Sequence, residues 1–151
     1  MTAPQAPVSL RMTRVIKAKR DKVFQAWIKP ETLKQWMGPQ GIVVPVVKID
    51  ARVGGQYRIE MESTGDGMGN AGDKYVVVGV YEEIVPNEKL VFTWMWERPD
   101  ATKTVVTILL KDKDGGTELT LIHERFGSTD EMKSHESGWT SSMEKLAGVL
   151  E

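Results

Sequence analysis

The sequence predicts an α+β domain of element order β-α-α-β6-α, a curved antiparallel sheet packed on one long C-terminal helix. Three observations carry that prediction. Apolar and polar residues alternate with period two in segments between Ile42 and Phe126, and glycine, proline and aspartate turns separate these segments. A helical period appears over residues 21–37 and again over residues 128–150. The second helical stripe must bury its apolar side, and the dry face of the sheet is the large apolar surface available to it. At 151 residues the chain has the length of one ordinary domain. It is expected to divide into a flexible N-terminal tail, residues 1–8, marked by Pro4 and Pro7, and a folded domain, residues 9–151.

Val8 to Ala18 reads as the first strand, with Leu10 and Met12 on one side and Arg11, Thr13 and Val15 on the other. Val23, Phe24, Trp27 and Ile28 then fall at helical spacing, with Asp21 in the first turn, where the helix dipole favours an anion. Pro30 fits the first position of a second short helix, PETLKQWM, which presents Leu33, Trp36 and Met37 on one side and stops at Gly38-Pro39. Val43 to Ala51 is a strand bulged near Pro45, a residue suited to a sheet edge. After the Gly54-Gly55 turn, Tyr57, Ile59 and Met61 alternate with Arg58, Glu60 and Glu62, as one dry and one wet face require.

A glycine-rich loop, Thr64 to Asp73, leads into a β-branched strand, Tyr75 to Ile84. Past the Pro86-Asn87 turn, Leu90, Phe92, Trp94 and Trp96 line one strand face. Thr102 to Leu110 and Thr117 to Phe126 are joined by KDKDGG, whose Asp114-Gly115 pair suits a tight hairpin. Ser128, with Glu131 three residues on, opens the last helix as a capping box, and Met132, His135, Trp139, Met143, Leu146 and Leu150 follow at spacings of three and four. About 20 residues at 1.5 Å each span about 30 Å, enough to cross the sheet.

Composition excludes several classes of function. Twenty Lys and Arg against 21 Asp and Glu give a net charge of −1, without the basic stripe of a nucleic-acid binder, so no nucleic acid is expected as a partner. No cysteine is present, which fits a reducing compartment and removes any thiol nucleophile or disulfide framework. No segment approaches the roughly 20 apolar residues of a bilayer span, so no membrane insertion is expected. The N-terminus lacks the pattern of a secretory signal, and a cytoplasmic location is the expectation.

The ordered set VFQAWIKPETLKQW, VGGQYRIEM, VGVYEEIVPNEKLVFTW and HESGWTSSMEKL resembles the START-like (polyketide cyclase/lipid-transport, SRPBCC) superfamily. More narrowly, it resembles the family named after the C-terminal domain of the activator of Hsp90 ATPase. The resemblance runs from about Leu10 to Leu150. It implies the helix-grip (START/Bet v 1-like) fold, with a cavity between sheet and long helix. The eukaryotic co-chaperone resembled here has a separate N-terminal domain that contacts Hsp90. The present sequence does not contain it, so direct Hsp90 activation is not expected.

Trp94, Trp96 and Trp139 are assigned to the inner wall by period, with Tyr57, Tyr75 or Tyr81, Met61 and Met143 as their expected neighbours, His123 as a further candidate and His135 near the cavity mouth. Bulky indoles with a polar N–H, together with flexible methionines, suit either an adaptable ligand wall or a filled core. A ligand cavity would be an enclosed space of about 300 Å³ or more bounded by Trp94, Trp96 and Trp139. If His123 faces inward with Leu119 and Leu121, it would be a hydrogen-bonded polar point in that wall.

Two histidines, each followed by glutamate, do not complete the ligand set of a zinc site, so no metal is expected. Gly67, Gly69 and Gly72 fit G-x-G-x-x-G, but a strand follows them rather than a helix, which removes the nucleotide reading. Glu83 would share the face of Tyr81 if no bulge intervenes, and could then pair with an inward Arg125. No cofactor is expected. The leading expectation is non-enzymatic binding of a hydrophobic or aromatic small molecule. The alternatives are a protein-interaction or stress-related accessory domain, as a homodimer through its strand edges, and an enzyme of cyclase, dehydratase or hydrolase type.

Overall fold

The computed structural model describes residues 8–151. Residues 1–7 of the expected tail lie outside the described residues, and Val8, counted in that tail, opens the first strand. The elements are β1 (Val8–Ile16), α1 (Arg20–Ile28), α2 (Pro30–Trp36), β2 (Ile42–Ile49), β3 (Gln56–Ser63), β4 (Lys74–Val85), β5 (Lys89–Trp96), β6 (Thr104–Lys113), β7 (Gly116–Phe126) and α3 (Thr129–Leu150). One seven-stranded sheet runs β1-β7-β6-β5-β4-β3-β2, with every neighbouring pair antiparallel. The helix-grip order inferred from the sequence is the observed one.

Local chemistry explains most boundaries. Pro30 occupies the first turn of α2, where its missing N–H costs no helix bond, and Lys29, extended at φ −93°, separates α1 from α2. Gly38 ends the helix pair at φ +93°, a conformation that L side chains rarely adopt. Asp114 and Gly115 both have positive φ, as a two-residue hairpin of the expected kind requires. Pro45 lies on the edge strand β2 within a register shift between Val43 and Val46, so no ladder hydrogen bond is forfeited inside the sheet. In α3 the Ser128 hydroxyl accepts from the Glu131 N–H at 3.1 Å. The Glu131 carboxylate reaches back to the N–H of Gly127 at 3.2 Å, one residue before the cap, so the capping box is displaced by one position.

Register assigns the faces. Direct cross-strand partners share a face, so the row Tyr57–Gly79, Ile59–Val77, Val77–Trp96, Phe92–Val106, Val106–His123 and His123–Leu10 lies on the side covered by the helices. The stripe of α3 lands there: Trp139, Met143, Leu146 and Ala147 are buried, and so are Val23, Phe24 and Trp27 of α1 and Trp36 of α2. The Trp36 indole donates to the Ala26 carbonyl at 3.0 Å and locks the two short helices together. The core centre is aromatic, with Trp27 meeting Trp36 edge-on at 4.6 Å and Trp139 at 5.9 Å.

A bulge between Tyr81 and Glu83 settles the fate of the conditional ion pair. Glu83 is turned outward and bridges Lys89 at 3.2 Å, while Arg125 is exposed with φ +71°, so the two do not meet. An extra residue in one strand reverses the alternation beyond it, and the sequence carried no marker of the bulge.

Candidate ligand-binding groove

The middle of the sheet–helix interface is filled. Tyr57, Tyr81 and Phe92 pack within 6.0 Å of one another, and the space remaining among them, Trp27 and Trp94 is about 10 Å³. Tyr57 is positioned by a gap in β4. Its hydroxyl passes over Gly79, where a Cβ would lie 2.0 Å from the Thr93 carbonyl oxygen, and donates to that carbonyl on β5. Burial pushes the phenols of Tyr57 and Tyr81 above the usual tyrosine range, which keeps both neutral. Among the described residues, the space bounded by Trp94, Trp96 and Trp139 together is a crevice of about 50 Å³ rather than an enclosed chamber of 300 Å³ or more.

Open space lies instead beside the N-terminal half of α3. A groove of about 540 Å³ runs between this half of the helix and the ends of β3, β4 and β5. Met61, Tyr75 and Trp96 form its sheet side, His135 and Gly138 its helix side, and Pro39 and Met68 its ends. Lys74, Arg98, Glu97 and Asp130 stand among its polar groups. At its base a crevice of about 50 Å³ shares Pro39, Met61, Trp96, His135 and Gly138 with the groove and continues to Trp94, Trp139 and Ser142.

Two histidine–tryptophan pairs form the polar skeleton of this region. His123 on β7 is fully buried, and its Nε2 lies 2.7 Å from the Thr104 hydroxyl. That hydroxyl donates its single proton to the Trp94 carbonyl at 2.8 Å, so it accepts from His123 Nε2–H. Nδ1 of His123 is then the acceptor for the Trp139 indole N–H at 3.0 Å. His135 on α3 has the opposite tautomer. Its Nδ1–H donates to the Glu131 carbonyl at 2.8 Å, and its Nε2 accepts from the Trp96 indole at 2.9 Å.

Both rings are held neutral. Burial, with His135 close by, pushes His123 down to about 2, and burial lowers His135 against the opposing pull of Glu131. With each imidazole lone pair engaged by an indole N–H, neither ring presents a free base to the groove. The chemistry of the site is therefore that of an apolar recess with fixed hydrogen bonds.

The residues named from sequence thus fall into distinct places. Met61, Trp96 and His135 border the groove, while Trp94 and Trp139 border the crevice. His123 stands behind Trp139 as its acceptor. Tyr57 and Tyr81 belong to the filled centre. Met143 lies at a separate depression of about 210 Å³ near Met12 and Arg14 of β1. Pro39, Met68, Gly138 and Ser142 were not anticipated. Gly138 carried a readable signal: it stands three residues after His135 within a helical stripe, where glycine weakens the helix without an evident local reason.

No group of three or more His, Cys, Asp or Glu among the described residues is placed to hold a metal ion. No described helix is long and apolar enough to cross a membrane.

Comparison with solved structures extends the fold. Protein CV1439 from Chromobacterium violaceum is 29% identical over 94% of this chain and 96% of that one, with a TM-score of 0.85. The AHSA1 protein from Silicibacter pomeroyi is 28% identical, covering 93% of this chain and 96% of its own, with a TM-score of 0.79. CalU16 from Micromonospora echinospora, 20% identical over 95% of this chain and 76% of its own, shares the fold at a TM-score of 0.69. The sequence matches no curated protein. The model of one family, described as Activator of Hsp90 ATPase homolog 1-like protein, matches residues 17–151. With α1 to α3 and all the strands from β2 onward inside that match, the chain belongs to the Activator of Hsp90 ATPase homolog 1-like family, within the START-like superfamily.

Proposed function

We propose that the protein binds an apolar or aromatic small molecule, without covalent chemistry, in the groove between α3 and the ends of β3 to β5. The observation that carries this reading is a concave space of about 540 Å³ whose sheet side is Met61, Tyr75 and Trp96. That volume lies within the range of small-molecule sites, which combine apolar walls with a few placed polar groups. Removing apolar ligand area from water would contribute about 25 cal/mol per Å², before ordering costs.

Gly138 supports the same reading. A Cβ built there meets nothing within 4 Å, so the core does not demand glycine at this point. Its missing side chain leaves the groove and the crevice open on the helix side.

The test is Gly138→Leu, which fills the groove from a helix that should tolerate the change. Binding of 2-ethylnaphthalene, followed by tryptophan fluorescence, should weaken at least tenfold while the thermal midpoint is kept or raised. Unchanged affinity in the variant would place the ligand elsewhere and end the proposal.

The family description refers to Hsp90 ATPase activation, and the groove supports a small molecule rather than a chaperone surface as its occupant. A second reading, self-association through the outer sheet face, is supported by a depression of about 590 Å³ there. Val78, Val80 and Met95 line it, with Lys48, Arg58 and Lys103 around them. Light scattering at about 100 μM should then report a dimer that Met95→Glu dissociates. A monomer at that concentration would remove this reading.

A further inference from the structure

We infer that the ligand of the groove is an amphipathic anion, an apolar ring body carrying one carboxylate that pairs with Arg98 at the charged end of the site. This rests on the groove being the binding site. Charge is distributed unevenly along it. Lys74, Glu97, Arg98 and Asp130 border the groove, whereas no lysine, arginine or acidic residue lines the crevice at its base. A carboxylate at the base would lose its hydration without gaining a counter-charge, so an acidic ligand enters ring first and leaves its head among the charges.

Strand alternation brings Arg98 to the groove side. Trp96 is the direct partner of Val77, and the Glu97 N–H donates to the Val76 carbonyl at 2.8 Å, so the β4–β5 ladder runs one residue past β5. Trp96 then faces the groove, the Glu97 carboxylate turns to Arg58, and Arg98 returns to the side of Tyr75, the direct partner of Met61. Burial lowers the His135 pKa, Glu131 opposes that, and the charge of Arg98 lowers it further, which fits a guanidinium on the side of the helix.

The carboxylates already present are otherwise engaged. Glu97 takes both terminal nitrogens of Arg58, and Glu131 accepts from the Gly127 N–H and the Thr102 hydroxyl. Asp130 stands in the first turn of α3, where the helix dipole offsets its charge. Arg98 and Lys74 are exposed and make no ion pair among the described residues. The guanidinium fork matches the two oxygens of a carboxylate, and Lys74 adds a second positive charge at the same end.

The experiment uses the full chain labelled with ¹⁵N, whose five tryptophans give separate indole N–H signals. It is titrated with 2-naphthylacetate, 2-ethylnaphthalene and 2-naphthylmethylammonium, which share a ring system and differ in the charge at its tip. The Trp96 signal, on the groove wall, reports the binding of each. In Arg98→Gln the ratio of acid to hydrocarbon affinity should fall about fivefold, with the hydrocarbon affinity unchanged. In the wild type, raising NaCl from about 20 mM to about 500 mM should weaken the acid relative to the hydrocarbon. If the hydrocarbon binds but the ratio ignores both Arg98→Gln and salt, or if the ammonium binds more tightly than the acid, the anionic head is overturned and the groove stands. If no probe moves Trp96, the groove reading fails and takes this inference with it. The wild-type salt series decides the head group even if Arg98→Gln does not fold.

Discussion

Lowering the pH from 7 to 5 should destabilise the folded state by about 2 kcal/mol through His123 alone. The ring is fully buried and neutral, Nε2–H donating to Thr104 and Nδ1 accepting from Trp139, and its pKa is pushed from 6.5 down to about 2. A proton added to Nδ1 would face the Trp139 N–H, so the folded protein excludes it. The unfolded chain accepts that proton near pH 6.5. Below that pH the unfolded state therefore holds more protons, and the stability that is complete above it is lost at up to about 1.4 kcal/mol per pH unit as pH falls toward 2. Integrated from pH 7 to 5, the loss is about 2 kcal/mol.

His135, also lowered by burial, adds in the same direction. The lowered carboxylates Glu97 and Glu118 contribute stability that is present above 4.5 and lost below it, outside this window. Urea unfolding followed by circular dichroism is the assay. With a slope of about 2 kcal/mol per M, the midpoint should fall by about 1 M or more between pH 7 and pH 5. His123→Asn should flatten most of that dependence. A midpoint unchanged between the two pH values would refute the neutral, doubly bonded histidine.

Trp139→Phe keeps the ring packed against Trp94 but strands Nδ1 of His123, and should cost about 1–3 kcal/mol in the same assay; a change below a few tenths would show that the bond is not formed. Gly79→Ala places a methyl 2.0 Å from the Thr93 carbonyl oxygen and 2.6 Å from the Tyr57 ring, and should destabilise by about 3 kcal/mol or more. A thermal midpoint close to that of the parent would contradict the packing described. Ser128→Ala removes the α3 cap and should cost about 1 kcal/mol, with faster amide exchange in the first turn, where Asp130 and Glu131 border the groove. Gly138→Ala should instead raise stability by about 0.5–1 kcal/mol, since the added Cβ meets nothing; a loss on thermal unfolding would mean that the helix needs glycine there.

The order of elements was legible because each rests on local physics. Period two from Tyr57 to Met61 and from Leu90 to Trp96 reports a sheet wet on one side. The spacing of Trp139, Met143 and Leu146 reports one buried helix stripe. Pro30, Gly38 and Asp114-Gly115 mark where the backbone must turn. These signals also marked Trp94 and Trp139 as inward indoles, and His123 as a polar residue that would need a partner if it faced inward.

What occupies the space between sheet and helix was decided only in three dimensions. Whether Tyr57, Tyr81 and Phe92 line a chamber or fill it depends on ring angles and on Gly79 letting Tyr57 reach Thr93 across a strand, contacts 11 or more residues apart that no periodicity encodes. The bulge after Tyr81, which turns Glu83 away from Arg125, is equally invisible, because one extra residue changes every face beyond it without altering composition. The open groove at Trp96, His135 and Gly138 is what remains once those rings have packed. Sequence determines which side chains leave water, and close packing among them determines where space is left for a ligand.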